Sequence, residues 1–214
     1  MKYLAILLAI GLSACATSPS FTPAGINQPY EILGARISSP NEPGWYLIQQ
    51  NQSGVYFGKD ISSKTNSVIA NALIFAVDGL EDDKAFFDYI ISEREKNDDK
   101  ARFTDLGVKN TLTTFKENSC IKYESLAEDH ASKSHSSQPF QYFSTMGYIC
   151  RHPIHKAAAV QIEVSYRSDT KDIPKTVTKM SEQFFNTVNF RGQSPNPQLR
   201  GSQIDLKVVG VSGN

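Results

Sequence analysis

The chain has 214 residues, with 22 Lys and Arg against 22 Asp and Glu, so its formal net charge is zero. That balance gives no electrostatic footprint for nucleic acid or for anionic lipid, and no nucleic-acid partner is expected. Apolar residues make up 40% of the chain, with 12 Phe and 9 Tyr, enough to build a core within one domain and its tails.

The first residues read as an export signal. Lys2 supplies a positive start, and Tyr3 to Leu12 form a short apolar segment. A membrane span needs about 20 apolar residues, so residues 1–14 are expected to be a cleaved signal peptide rather than an anchor. The segment ends Leu12-Ser13-Ala14-Cys15, which resembles the lipobox of bacterial lipoproteins. The resemblance implies that the Cys15 sulfur receives a diacylglycerol, that cleavage falls before Cys15, and that the new amine is acylated. Each buried methylene contributes about 0.8 kcal/mol, so several acyl chains on one residue give lasting attachment. Ala16, not an aspartate, follows the cysteine. By the family rule this implies the outer membrane, facing the periplasm. Cleavage would remove Lys2 alone among the charged residues, leaving 21 basic against 22 acidic side chains, a charge of −1.

The lipidated cysteine and residues 16–29, "ATSPSFTPAGINQP", read as a flexible spacer. One globular domain is expected over residues 30–190. "GWYLIQQNQSGVYFGK" predicts a hairpin turning at Asn51 to Gly54. "SVIANALIFAV" places Ile69, Leu73, Phe75 and Val77 on one strand face, with Asn71 as the polar exception. "EDDKAFFDYIISEREKN" predicts an amphipathic helix, with acids at its start and Arg94 and Lys96 late. "RFTDLGVKNTLTTFKE" follows as one or two strands.

In the second half, "SCIKYESLAE" and "QYFSTMGYIC" flank the polar loop "DHASKSHSSQP". "AAAVQIEVSYR" alternates Val160, Ile162, Val164 and Tyr166 with polar residues, a half-buried strand. A last helix is expected from about Asp172, with Pro174 in its first turn and Ile173, Val177, Met180, Phe184 and Val188 forming one stripe. Residues 191–214 read as a linker followed by a possible edge strand, "IDLKVVGV". The fold class expected is α+β, a mainly antiparallel β-sheet with two amphipathic helices packed on it. This element order, with Gly44-Trp45 opening the first hairpin, resembles the PsbP-like fold over about residues 40 to 190, with no functional motif shared. The stretches "SPNEPGWYLIQQ", "RFTDLG" and "GYICRHP" are similar to a group of bacterial envelope proteins, a likeness that implies no activity.

Cys120 and Cys150 remain after lipidation takes Cys15. Paired positions of an antiparallel hairpin have a constant sum, and pairing these two centres the connection on His135, the middle of the polar loop. The same register sets Ile121 against Ile149, Tyr123 over Gly147 and Ala127 near Phe143. The periplasm is oxidising, so a Cys120–Cys150 disulfide is expected.

"CRHPIH" offers an alternative. Cys150, His152 and His155, with Cys120 as a possible fourth ligand, are thiolate and imidazole groups of the kind that hold zinc or copper. A bridged Cys150 has no thiolate to give, and Pro153 points to exposed histidines in a turn. No nucleophile elbow and no phosphate-binding glycine motif is present. The reading is therefore a non-enzymatic lipoprotein, without a cofactor, that binds or helps assemble another envelope protein. Its alternative is a metal-binding or hydrolytic envelope protein centred on Cys150, His152 and His155. Trp45, Tyr46, Tyr56 and Phe57 form the candidate binding surface, because interface cores favour aromatic residues.

Overall fold

A computed structural model describes residues 21–60, 66–77, 80, 82–96, 99–132 and 138–190. The expected signal peptide, Cys15, the loop centre at His135 and the tail 191–214 lie outside the described residues. The elements run β1 (Thr22–Pro23), β2 (Pro29–Ile32), β3 (Ala35–Ser38), β4 (Tyr46–Gln50), β5 (Gly54–Asp60), β6 (Ser67–Ala76) and α1 (Asp83–Lys96). Then follow β7 (Phe103–Phe115), β8 (Asn118–Asp129), β9 (Gln141–Arg151), β10 (Ala158–Ser168), α2 (Lys175–Thr187) and β11 (Asn189–Phe190). Eight strands form one antiparallel sheet, ordered β1-β4-β5-β6-β10-β9-β8-β7, and β11-β3-β2 form a second. Two helices on a large antiparallel sheet make this an α+β fold. No helix of the described residues is long and apolar enough to cross a membrane.

The sheet has two different faces. On one, Val55, Phe57, Val68, Ala70, Ala72, Ile74, Val160, Ile162, Val164 and Tyr166 pack against α2 and the small sheet. Val177, Met180, Phe184 and Val188 of the predicted helical stripe are buried there, with Ile173 partly so. On the other face α1 presses Phe86 and Ile90 onto Ile121, Tyr123, Ile149, Ala159 and Val77. That helix covers only one corner of its face.

Several expectations are corrected at this level. Within the stretch read as spacer, Thr22 pairs with Leu47 and Pro23 with Tyr46 at the sheet edge, and β2 begins at Pro29. The helix begins at Lys175 rather than near Asp172. Pro174 is its N-cap, with an extended ψ of 140°, and no side chain caps it. The proline ring disfavours helical backbone at Ile173, which keeps Asp172 out of the helix. In β6 the odd positions Ile69, Asn71, Leu73 and Phe75 share one face as expected, and the fully buried residues are Val68, Ala70 and Ala72 on the opposite face. The alanines let α2 and the small sheet approach that face closely.

The two predicted hairpins form. The Asn51 side chain accepts from the Ser53 and Gly54 amides at 2.8 and 2.9 Å, which closes the β4–β5 turn. The β8–β9 register is Cys120 opposite Cys150, Ile121 opposite Ile149, Tyr123 opposite Gly147 and Ala127 opposite Phe143. The two cysteine sulfurs lie at bonding distance, 2.09 Å.

Candidate functional site

Pairing across the sheet brings one residue from each of seven strands into a row on the α1 face. From β4 to β7 these are Gln49, Tyr56, Asn71, Glu163, Gly147, Tyr123 and Asn110. Odd positions on β6 and β10 point away from the α2 core, so this row runs along the partly uncovered face. All of its side chains are polar or phenolic.

Glu163 is its centre. The buried Tyr123 hydroxyl donates to Glu163 Oε2 at 2.7 Å, and Gln161 Nε2 and Asn71 Nδ2 donate over longer distances of 3.4 and 3.5 Å. The phenol reaches β10 only because the strand between carries Gly147. A Cβ there would sit 2.1 Å from the Ile162 carbonyl oxygen and 2.9 Å from the Tyr123 hydroxyl. The Arg94 guanidinium of α1 covers the Tyr123 ring at 3.9 Å from its centroid. Burial raises the Tyr123 phenol well above its ordinary range, the Glu163 charge adds to this, and Arg94 opposes both. Burial and then the Glu163 charge raise Tyr56 as well. Both phenols therefore stay neutral, and Tyr123 donates a hydrogen bond to Glu163.

Among the described residues no cation lies within ion-pair distance of Glu163. The side-chain carbonyl oxygens of Asn71 and Asn110 are buried without a hydrogen-bond partner, a cost of about 1–3 kcal/mol for each such group. The row thus holds more acceptors than its own donors satisfy. A second charged cluster has no such surplus. The buried Asp129 carboxylate takes two hydrogen bonds of 2.8 Å from Arg102 and one of 2.7 Å from Arg167. Burial pushes its pKa up, but the arginines outweigh that and hold it below the usual carboxylate range.

The aromatic surface expected on the first hairpin is corrected. Trp45 is 2% exposed and Phe57 is fully buried. Phe57 packs edge-on to Tyr30 and Phe184, with centroids 5.0 and 6.3 Å away. Only Tyr46 is exposed, and half-buried Tyr56 belongs to the polar row. Strand alternation is the reason, since Trp45 and Phe57 fall on the α2 side of the sheet and Tyr46 and Tyr56 on the other.

The "CRHPIH" alternative is not assembled as a ligand set. His152 is buried rather than exposed in a turn. Its Nδ1 accepts from the Ile154 and His155 amides at 3.2 and 3.0 Å, which leaves the proton on Nε2 to be donated to the Gly34 carbonyl at 3.2 Å. Both ring nitrogens are thereby occupied, and the sulfurs of Cys120 and Cys150 are bonded to one another. His155 is exposed. Burial holds the His152 imidazole below its ordinary range, against the Gly34 hydrogen bond and aided by His155.

The Glu163 row escapes sequence reading because its members come from seven strands. Two signals were legible: polar Asn71 interrupting an apolar face, and the register that sets Tyr123 over Gly147.

Comparison with known proteins gives architectural likeness only. No protein-family model matches the chain, and no curated protein matches it in sequence. Among solved structures it aligns with the Ran-binding protein Mog1p of Saccharomyces cerevisiae at TM-score 0.43 and 12% identity, over 80% of this chain and 96% of that one. It aligns with a Bacteroides thetaiotaomicron VPI-5482 protein at TM-score 0.40 and 12% identity, over 80% of this chain and 49% of that one. Cyanobacterial PsbP from Synechocystis sp. PCC 6803 aligns at TM-score 0.36 and 11% identity, over 84% of this chain and 99% of that one. Likeness at this level carries no argument about activity.

Proposed function

We propose that this protein is a lipoprotein of the outer membrane, held by acyl chains on Cys15, whose α+β domain faces the periplasm and binds another envelope component without chemical turnover. The single observation that carries the binding role is the Glu163 row. It is a hydrogen-bonded carboxylate with surplus buried acceptors, on a sheet face that α1 covers at one corner. The lipobox-like Leu12-Ser13-Ala14-Cys15 carries the location. A ligand presenting hydroxyl or ammonium donors satisfies the row, and the phenols of Tyr56 and Tyr123 bound it.

The test joins the two halves. Wild type is expected in the membrane fraction with a lipid-sized mass increment, and Cys15→Ser in the soluble fraction. Cross-linking in intact envelopes is expected to capture a defined component with wild type and to lose most of it with Glu163→Gln, whose thermal unfolding should be little changed. Equal capture by Glu163→Gln would remove the row from the binding role. A membrane-bound Cys15→Ser protein would remove the anchor.

A further inference from the structure

The corner of the α1 face that the helix leaves uncovered is apolar. In the β1–β4 pairing Thr22 lies opposite Leu47 and Pro23 opposite Tyr46, and Phe21 and Ile48 are the residues that follow outward on the two chains. Phe21 is 50% exposed, and Tyr46 and Ile48 are each 39% exposed. Tyr46 pairs with Gly58, and Ile48 Cδ1 lies 2.7 Å from where a Gly58 Cβ would be. The absent side chain thus lets Ile48 lie flat on the strand beside Tyr46. Trp45 and Phe57, from the same hairpin, are turned into the core on the opposite face. The hairpin accordingly presents one aromatic pair inward and one apolar cluster outward.

We infer that this corner, Phe21, Pro23, Tyr46 and Ile48, rests on the surface of the bilayer that holds the protein's own lipid. The inference rests on the lipid anchor at Cys15 proposed above. Six peptide units separate Cys15 from Phe21. A fully extended chain covers at most ~3.3–3.6 Å per residue, so the corner stays within roughly 20 Å of the anchored cysteine. No other apolar cluster of the described residues is tethered so closely: Val108 and Leu112 lie on β7, at the far edge of the sheet. Exposed apolar clusters mark interaction surfaces, and phenolic and apolar rings favour the headgroup level of a membrane. Docking the β1–β4 edge would set one orientation of the domain, with the α1 corner turned away from the lipid.

The lipidated protein in nanodiscs of phosphatidylethanolamine and phosphatidylglycerol, with a nitroxide on a fraction of the headgroups, tests this by amide relaxation. Several-fold stronger broadening is expected at Phe21, Tyr46, Ile48 and Gly58 than at Phe86 to Ile90. The Tyr46→Ser/Ile48→Ser protein, still lipidated, should lose most of that contrast. Uniform broadening of wild type, or a contrast unchanged in the double variant, would overturn the inference while leaving the anchor in place. Protein without a lipid mass on Cys15 that stays off the disc would overturn the anchor itself, and the inference with it. A dimer of Cys15→Ser in solution that buries the same corner would assign the surface to a second copy instead.

Discussion

Single side chains and backbone atoms set the sharpest constraints in this molecule. Gly147 is one, because any Cβ collides with the β10 backbone and with the Tyr123 hydroxyl that reaches Glu163. Gly34 is another. Its φ of +76° lies in the left-handed region, and a Cβ there would fall 2.3 Å from His152 Nε2. Through that contact one buried imidazole ties the β2–β3 turn to the end of β9. The unfolded chain takes up a proton on His152 near the ordinary value of about 6.5, whereas burial makes the folded protein resist it. The unfolded state then holds more protons, so stability falls as pH falls. The contribution is fully present above about pH 6.5 and is lost as pH drops toward the lowered folded value. Urea midpoints measured from pH 7.5 to 5 should decline for wild type and decline less steeply for His152→Gln. Equal slopes would remove His152 from the pH dependence.

At the scale of elements, the β8–β9 hairpin shows how much a register determines. Its ten residue pairs, of apolar, polar and sulfur chemistry, all follow once Cys120 faces Cys150, and a one-residue slip would turn every side chain to the wrong face. The bridge closes a loop with a sequence separation of 30, for which the chain-entropy account gives roughly 3–4 kcal/mol. Cys120→Ala/Cys150→Ala is therefore expected to lower the unfolding free energy by about that amount in denaturant titration, without loss of strand content. A change below about 1 kcal/mol would mean that the unfolded chain is little constrained by the bridge. Edge strands tell a complementary story. β7 carries exposed Leu106, Val108 and Leu112, but a bulge between Asp105 and Gly107 and the nearby Lys109 interrupt it, devices that discourage indiscriminate edge pairing.

For the whole molecule, one sheet serves two cores. Phe184 on α2 and Phe86 on α1 are both fully buried, on opposite faces of the same strands. Each should cost about 3–5 kcal/mol when replaced by alanine. Because β6 and β10 line both cores, unfolding should remain one cooperative transition in either variant. Coincident fluorescence and circular dichroism melts would check this. Separate transitions in Phe86→Ala would show that α1 and its corner form an independent unit. The asymmetry of the two layers also has a functional side. α2 and the small sheet close one face, while the smaller α1 layer covers the Tyr123 end of the Glu163 row and leaves the Phe21–Ile48 corner exposed.

The sequence by itself was enough for the α+β class, the two helices, the Asn51 turn and the cysteine register, because each rests on local periodicity, turn chemistry or a symmetric count about one loop. It also suggested an anchor at Cys15 from four adjacent residues. Which aromatic residues are available, and where the polar row lies, only the tertiary structure decided. Trp45, Tyr46, Tyr56 and Phe57 look alike as a cluster in the chain, yet strand alternation buries two of them under α2 and leaves the other two on the α1 face. His152 looks like a turn histidine until the Gly34 turn, 118 residues away in sequence, closes over it. The Glu163 row requires seven strands in register. Burial and cross-strand neighbours are properties of layers stacked from distant segments, and no short window of the chain contains them.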